Sequence, residues 1–209
     1  MNTDHVTVNT QSSIRIRGSK TVYFDPFRIG GKPQDADLIC ITHVHSDHFD
    51  PESIEKVRKK DTVILAPHGM KKETERIMDP KYIRLLAPGD EAVLDSITVT
   101  GVPAYNRIKP FHPKRNKWLG YLLAMDGITY YIAGDTDAVK EVRDIRCDIA
   151  FVPIGGTFTM TAKEAAGLVN LIRPGTAIPV HYGSIVGNRK DAEVFRSLAD
   201  QGIEVIEKL

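Results

Sequence analysis

The sequence predicts an α/β fold in which two β-sheets pack together and helices cover their outer sides. Two observations support this prediction. Short strands followed by strand–helix units occur twice along the chain, and no low-complexity linker divides the 209 residues. A weak internal similarity agrees with them, because GSKTVYFDPF resembles GITYYIAGDT and DADLICIT resembles RCDIAFVP. We therefore predict one domain, 1–209, made of two related halves at roughly 1–95 and 96–209.

In the first part of the chain, apolar patterning marks the strands. Residues 13–17 alternate with period two, and Gly18-Ser19-Lys20 provides a turn into the next strand. Residues 38–41 are wholly apolar, as in a strand buried on both faces. Asp50-Pro51-Glu52 combines an N-cap, a proline at the first helical position and an acidic first turn, which predicts a helix start. Predicted strands up to residue 101 are 13–17, 21–25, 38–41, 62–65, 82–86, 91–94 and 97–101, and predicted helices are 50–58 and 69–78.

The second part repeats this pattern. Asp126-Gly127 between two apolar runs predicts a hairpin. Thr161 and Glu164 have the spacing of a capping box, and the helix they open should stop at Arg173-Pro174-Gly175. Predicted strands are 118–125, 128–133, 148–153, 177–180 and 203–206, and predicted helices are 161–172 and 190–200.

Composition narrows the class of protein. A net charge of +1, with 42% hydrophobic and 26% charged residues, is ordinary for a globular protein and gives no reason to expect nucleic acid or a membrane as partner. No apolar run approaches the roughly 20 residues of a membrane span, and the first residues do not form a signal peptide. We therefore expect a cytoplasmic protein. Cys40 and Cys147, beside or within apolar runs, are expected to be buried thiols.

Three of the seven histidines fall within six positions, directly after an apolar strand. His43, His45, Asp47 and His48 form the pattern H-x-H-x-D-H. Imidazole and carboxylate together suit zinc, iron or manganese. Alternate residues of an extended segment share a face, so the first two histidines can bind one ion while the other two side chains turn toward a second. The alternative is a surface loop that is rich in histidine by chance, which so tight a cluster disfavours.

Two later strand ends carry the same types of ligand. Asp135 follows the strand in YYIAGDTD, and Gly134 beside it allows close backbone approach. The alternative role, an N-cap for a helix near residue 138, suits Asp137 better. His181 follows the apolar segment 178–180. Alone it would be a packed histidine, but three strand ends with ligand-type side chains favour a metal site.

These segments resemble the metallo-β-lactamase fold superfamily. The similarity rests on the H-x-H-x-D-H motif, on TVYFDPF, on AGDTD and on IPVHYG, and it extends over most of the chain. Within the superfamily the chain is most similar to small single-domain metal-dependent hydrolases related to ascorbate-6-phosphate lactonase. The resemblance implies a four-layer αββα sandwich of two mixed sheets with a two-metal site at one edge. It places His43 and His45 on the first metal, Asp47, His48 and His181 on the second, and Asp135 between the two.

One position departs from the family pattern. Asn106 stands where the family usually has a third histidine for the first metal. Asparagine is a poor ligand for zinc, although its carbonyl oxygen can bind harder ions. His112, six residues later, either completes the first metal site or is a surface histidine, and the sequence leaves both readings open.

The resemblance implies a hydrolase that uses hydroxide generated at two divalent ions, Zn or Mn with Fe as a further candidate, on an ester, lactone or phosphodiester. Asp47 is expected to act in catalysis as well as to bind metal. Residues 107–117 contain five basic and no acidic side chains, so they either attract a small anionic substrate or form a solvated loop. We predict that Tyr105, Asn106 and Lys109 contact the substrate. Trp118 either packs in the core or lines the substrate pocket. The sequence does not decide whether the protein forms a homo-oligomer.

Other classes of protein fit less well. Relatives that bind flavin or cut RNA carry extra domains for which this chain has no room. The G-x-S-x-G elbow of serine hydrolases and the GxxxxGK[ST] phosphate loop are both absent. A non-catalytic metal-binding module, such as a sensor or scaffold with an incomplete first site, is the remaining alternative, and Asn106 is the feature that supports it.

Overall fold

The computed structural model describes residues 2–209, which form two mixed β-sheets. The six-stranded sheet has the order β1-β2-β3-β4-β5-β6, with antiparallel pairing from β1 to β3 and parallel pairing from β3 to β6. Its strands are β1 (Val6–Val8), β2 (Ile14–Arg17), β3 (Thr21–Phe24), β4 (Ala36–Cys40), β5 (Arg58–Pro67) and β6 (Ile83–Leu86).

The second sheet repeats that plan with one more strand. Its order is β13-β12-β11-β10-β9-β8-β7, antiparallel from β7 to β10 and parallel from β10 to β13. Its strands are β7 (Glu91–Leu94), β8 (Ile97–Pro103), β9 (Leu119–Met125), β10 (Ile128–Ile132), β11 (Ile149–Pro153), β12 (Thr176–Val180) and β13 (Glu204–Val205).

Four α-helices lie on the outer faces of the sheets: α1 (Pro51–Val57), α2 (Lys71–Glu75), α3 (Ala162–Ile172) and α4 (Arg189–Leu198). Side chains of α1 pack with the outer face of the first sheet, and those of α3 and α4 pack with the outer face of the second. The predicted arrangement of two mixed sheets with outer helices is therefore confirmed.

Strand alternation explains the layers. In β4, Leu38 and Cys40 face the core between the sheets, whereas Ile39 faces the helices outside. In β11, Phe151 faces the inner core and Val152 the outer one. Because both faces of these strands are covered, residues 38–41 and 149–153 are apolar throughout, as the sequence indicated for residues 38–41.

Most predicted elements agree with the structure to within a few residues. The capping box of α3 forms as predicted, with Thr161 as N-cap. The helix predicted over 69–78 is shorter, because a 3-10 turn (His68–Met70) precedes α2 and no side chain caps it. The strand predicted over 62–65 is longer, because Arg58 also pairs with Ala36 of β4, across an irregularity in register.

The two sheets share one hydrogen bond at equivalent positions. The backbone N–H of Thr21 in β3 donates to Asp37 Oδ2 at 2.7 Å, and that of Thr129 in β10 donates to Asp148 Oδ2 at 2.8 Å. These contacts join the segments whose similarity is visible in the sequence. Descent of the two halves from one duplicated unit stays a prediction.

Candidate metal centre

Seven side chains with metal-binding atoms converge where loops leave both sheets. Four follow β4, one follows β10, one follows β12, and one lies in the loop between β8 and β9. They are His43, His45, Asp47, His48, Asp135, His181 and His112. Parallel strands end at the same edge of a sheet, so residues far apart in the chain meet there. The structure brings together every residue that the sequence predicted as a metal ligand.

The first donor group consists of three imidazoles. His43, His45 and His112 each offer one ring nitrogen, and these atoms lie within 4.8 Å of one another. The Nε2 atom of His43 and the Nδ1 atom of His45 are 3.1 Å apart. Two nitrogens bound to one tetrahedral zinc at 2.0–2.1 Å would be about 3.3 Å apart. The structure buries His112 beside the other two imidazoles, so it is not a surface histidine, and its role as a metal ligand stays a prediction.

Asn106 orients His112 instead of replacing it. Its Oδ1 accepts hydrogen bonds from the backbone N–H of His112 at 3.1 Å and from the ring atom Nδ1 at 2.9 Å. Its Nδ2 donates to Asp137 Oδ1 at 3.1 Å and to the carbonyl oxygen of Phe158 at 2.9 Å. An amide oxygen only accepts, so Nδ1 of His112 carries the proton and Nε2 keeps a free lone pair.

The second donor group combines Asp47, His48 and His181. The Nε2 atom of His181 lies 3.3 Å from Asp47 Oδ2, and that of His48 lies 3.6 Å from the same oxygen. Asp135 stands between the two groups. Its Oδ2 lies 3.3 Å from Nε2 of His112 and 3.3 Å from Nε2 of His181, and a bridging role for this carboxylate stays a prediction.

A buried aspartate that the sequence analysis did not single out fixes two of the histidines. Asp25 accepts from the Thr42 backbone N–H at 2.8 Å, from the Thr42 hydroxyl at 2.6 Å and from His48 Nδ1 at 2.7 Å. Since the Thr42 hydroxyl donates to Asp25, it can only accept from His43 Nδ1, 3.0 Å away. Both imidazoles therefore turn Nε2 toward the centre. The signal for Asp25 was its place at the end of the strand in TVYFDPF.

Burial and neighbouring charge set the ionisation of the donors. Burial by itself raises the pKa of Asp135, but His181 and His48 outweigh it and hold this pKa well below its ordinary value. Burial also opposes ionisation of Asp47, yet the same two imidazoles lower its pKa to about 2. Burial lowers the pKa of His43 well below its ordinary value. For His48 burial favours the neutral ring, but the carboxylates around it, Asp135 foremost, raise the pKa to about 9. A metal cation binding here displaces that proton.

Buried polar atoms that lack a hydrogen-bond partner indicate whether a metal ion fits this site. Within residues 2–209, Nε2 of His48, His112 and His181 and Oδ1 of Asp135 are buried and make no hydrogen bond. Buried polar atoms are nearly always partnered, so four that converge on one place require a ligand. The donor set of imidazole nitrogens and carboxylate oxygens suits zinc, iron or manganese. These side chains fit a divalent metal centre.

Backbone geometry presents two of the donors. Gly134, with φ +65°, brings Asp135 into place where a Cβ would lie 2.9 Å from the carbonyl oxygen of Leu119. His181 also has a positive φ, 58°, and its backbone N–H donates to the carbonyl oxygen of Gln11 at 3.0 Å. A strained residue at a cluster of buried polar groups is typical of functional sites.

Trp118 supports the first donor group from the side. Its ring centroid lies 4.9 Å from that of His43, 5.1 Å from that of His45 and 5.5 Å from that of His112. The indole is 9% exposed. It therefore packs as a core residue and also restricts the three imidazoles.

The three residues predicted to contact substrate have other partners in the structure. Tyr105 donates its hydroxyl to Glu141 at 2.8 Å, and Lys109 pairs with Asp137 at 2.8 Å. Asn106 holds His112, as described above. Tyr105 and Lys109 border two cavities that are separate from the one beside the metal-binding residues. Their role in substrate binding stays a prediction, because the structure does not bring them to the centre.

Comparisons with known proteins agree with this geometry. Residues 5–181 match the family model described as "Beta-lactamase superfamily domain". A protein named UPF0173 metal-dependent hydrolase from Thermococcus onnurineus is 31% identical over 215 residues, covering 93% of this chain and 92% of the relative. A crystal structure of a candidate metal-dependent hydrolase from Parabacteroides distasonis is 32% identical with a TM-score of 0.82, covering 98% of this chain and 92% of the other.

A more distant structure shares the fold alone. The diiron β-hydroxylase CmlA from Streptomyces venezuelae has a TM-score of 0.77 at 14% identity and covers 98% of this chain but 52% of its own. Within residues 2–209, no helix has the length and apolar character needed to cross a membrane. A closer relation to ascorbate-6-phosphate lactonase stays a prediction. Because the family model matches most of the chain and the Thermococcus relative is similar over nearly its full length, this protein belongs to the metallo-β-lactamase superfamily and, within it, to the metal-dependent hydrolases.

Proposed function

We propose that this protein hydrolyses an ester, lactone or phosphodiester bond of a small molecule with two divalent metal ions. One observation carries the proposal: two groups of three donors, His43/His45/His112 and Asp47/His48/His181, flank the buried carboxylate of Asp135. Zinc or manganese fits this mixture of imidazole and carboxylate, and iron is a further candidate because the diiron protein CmlA shares the fold. We also propose that the protein acts in the cytoplasm.

The metal ions, when bound, make water acidic enough to act as a nucleophile near neutral pH and polarise the group under attack. We assign to Asp47 the transfer of the proton from the attacking water to the leaving group. Its side chain is 16% exposed, whereas that of Asp135 is 3% exposed, and it borders the open cavity beside the centre. As a carboxylate beside that cavity, it can accept a hydrogen bond from a water molecule.

With an ester, the water oxygen forms a bond to the carbonyl carbon and the bond from that carbon to the leaving oxygen breaks. Asp47 accepts the water proton and passes it to the leaving oxygen, so the products are a carboxylic acid and an alcohol. Asp25, Thr42 and Asn106 take no part in bond making, because each is bonded to a histidine on the side away from the centre.

The test combines metal analysis with turnover. The purified protein should contain close to two equivalents of metal per chain, and it should hydrolyse 4-nitrophenyl esters, a simple lactone or bis(4-nitrophenyl) phosphate. A chelator should abolish that activity, and Zn²⁺ or Mn²⁺ should restore it. His48→Ala and Asp135→Ala should each remove activity while the circular dichroism spectrum is retained.

His68→Ala is the matched control, because His68 also follows a strand but its side chain is 60% exposed and lies outside the centre. It should leave metal content and turnover unchanged. Tightly bound metal with no turnover of any of these compounds would contradict the proposal and favour a non-catalytic metal-binding module. Full turnover by Asp135→Ala would contradict the assigned site.

A further inference from the structure

A cavity of about 280 Å³ opens beside the metal-binding residues, and its two sides differ in character. One side is formed by metal-binding residues, namely His45, Asp47, Asp135 and His181, with Ser46 beside them. The other side is an apolar wall formed by Phe111, Phe158 and Ile185. A molecule that reaches the metal-binding residues therefore lies against this wall.

The wall contains large apolar side chains that remain open to water. Phe111 is 41% exposed and Ile185 is 47% exposed. The rings of Phe111 and Phe158 meet edge to face, with centroids 4.7 Å apart and planes at 87°. Single exposed apolar residues are ordinary, but two exposed apolar side chains and a partly buried third that line one cavity beside polar donor side chains are typical of a ligand site.

In the described part of the chain, residues 2–209, no lysine or arginine lines this cavity. The basic segment 107–117 passes beside it, but its cations face elsewhere. Lys109 pairs with Asp137 at 2.8 Å and donates to the carbonyl oxygen of Thr159 at 2.6 Å. Lys114 pairs with Glu141 at 2.7 Å. Phe111 is therefore the residue of this segment that the loop presents to the cavity.

We propose that the wall of Phe111, Phe158 and Ile185 binds a neutral, apolar acyl group of the substrate, next to the bond that is hydrolysed. This inference rests on the proposed hydrolase function and narrows it to esters or lactones. It departs from the anionic substrate that the basic segment suggested. A carboxylate placed against this wall would lose hydration without gaining a cationic partner, whereas an alkyl or aryl group would bury apolar surface.

The experiment compares two esters that differ in one group. 4-Nitrophenyl butyrate and 4-nitrophenyl hemisuccinate share a leaving group and a four-carbon acyl chain, which ends in a methyl group in one and a carboxylate in the other. With metal-loaded protein, kcat/KM should be at least about tenfold higher for the butyrate, since a fully buried methyl or a desolvated charge changes binding by that order. Ile185→Lys should reverse or abolish this preference, and Phe111→Ala should lower kcat/KM for the butyrate.

Val93→Ala serves as the matched control, because Val93 is an exposed apolar residue on β7, away from the cavity. It should leave the ratio of the two kcat/KM values unchanged. Metal content is measured for every variant, so that loss of metal is not mistaken for loss of substrate fit. Equal or better hydrolysis of the hemisuccinate would overturn the inference while the hydrolase function stands. If neither ester nor any other test compound is hydrolysed by metal-loaded protein, the proposed function itself fails.

Discussion

At the scale of single residues, the pairing of Asn106 with His112 determines whether the first donor group is complete. The amide satisfies all its hydrogen-bonding capacity with four contacts inside the protein, and it is 5% exposed. Because its oxygen accepts a hydrogen bond from Nδ1 of His112, the His112 ring has its proton on Nδ1 and directs Nε2 toward the centre. A residue that does not bind metal itself therefore controls a metal ligand.

Asn106→Ala should weaken metal binding to the first donor group about 10–100-fold, the usual effect of losing a hydrogen bond to a ligating histidine. Metal per chain is measured after dialysis against metal buffers of graded free concentration. Asn170→Ala is the control, because Asn170 also uses both amide atoms in hydrogen bonds, but on α3. An unchanged affinity in Asn106→Ala would show that His112 needs no such support.

The two cysteines provide a second test at this scale. Burial raises the pKa of the Cys147 thiol to about 12 and that of Cys40 well above its ordinary value. The thiolate is the reactive form, so at about pH 8 both thiols of the folded protein should react with a chromogenic disulfide far more slowly than in guanidinium chloride. Raising the pH toward the pKa of Cys147 should speed its reaction. Cys40 is buried as predicted, whereas Cys147 is only partly buried. Rapid reaction of Cys40 at neutral pH would contradict its burial.

The sequence reveals some of these residue roles and conceals others. His43, His45, Asp47 and His48 are readable because their spacing is local and falls at a strand end. The position of His112 depends on how the loop from Tyr105 to Trp118 folds back, and no local spacing encodes that path. The contacts of Asn106 and Asp137 follow from the same path, so the sequence suggested substrate binding for one and a helix cap for the other.

At the scale of secondary structure elements, close approach between neighbouring segments shapes the second donor group. Gly155 follows β11, and a Cβ at this position would lie 2.4 Å from the carbonyl oxygen of His181 and 2.6 Å from Val186 Cγ2. Only glycine lets the segment after β11 lie this near to the end of β12. The position of His181 thus depends on a neighbouring residue with no side chain.

Gly155→Ala should lower the free energy of unfolding by about 1–3 kcal/mol through overpacking and should weaken metal binding. Urea denaturation and metal titration measure the two effects. Gly167→Ala is the matched variant, since a Cβ there meets nothing within 4 Å and the residue lies inside α3. It should raise stability by about 0.5–1 kcal/mol. Equal effects of the two substitutions would refute the role given to Gly155.

Elements with strong local signals could be predicted from the sequence, and elements defined by tertiary pairing could not. Helices α1 and α3 carry N-caps that are visible in the sequence, and both begin where predicted. Strand β5 starts at Arg58, in a polar segment whose strand state comes from pairing with β4. Strand β13 covers only Glu204–Val205, because it pairs with β12 at two positions.

At the scale of the whole molecule, the metal centre joins the two halves. Each donor group takes two side chains from residues 43–48 and one from the second half of the chain, His112 in the first group and His181 in the second. Asp135, which lies between the two groups, also comes from the second half. Bound ions would therefore connect the two sheets. The sequence predicted this arrangement because the repeated order of strands and helices and the ligand motifs at three strand ends both depend on long, regular patterns.

Removal of metal should lower the melting temperature. An ion present at about 100 times its Kd adds about 2.7 kcal/mol to stability, which corresponds to roughly 5–10 °C for a chain of this size. Differential scanning calorimetry with and without chelator measures the shift, and chelator already saturated with zinc is the control. Identical melting temperatures would mean that the ions contribute nothing to the junction between the sheets.

The hydrogen bond from the amide of His181 to the carbonyl of Gln11 also constrains how the protein matures in the cell. During synthesis His43 to His48 emerge well before His112 and Asp135, and His181 follows later still. The loop of Gln11 must likewise wait for His181, which follows it by 170 positions in the chain. Contacts of such long sequence separation form late. The full set of ligands is therefore available only after His181 has been synthesised, and a chain that terminates before this residue would lack it.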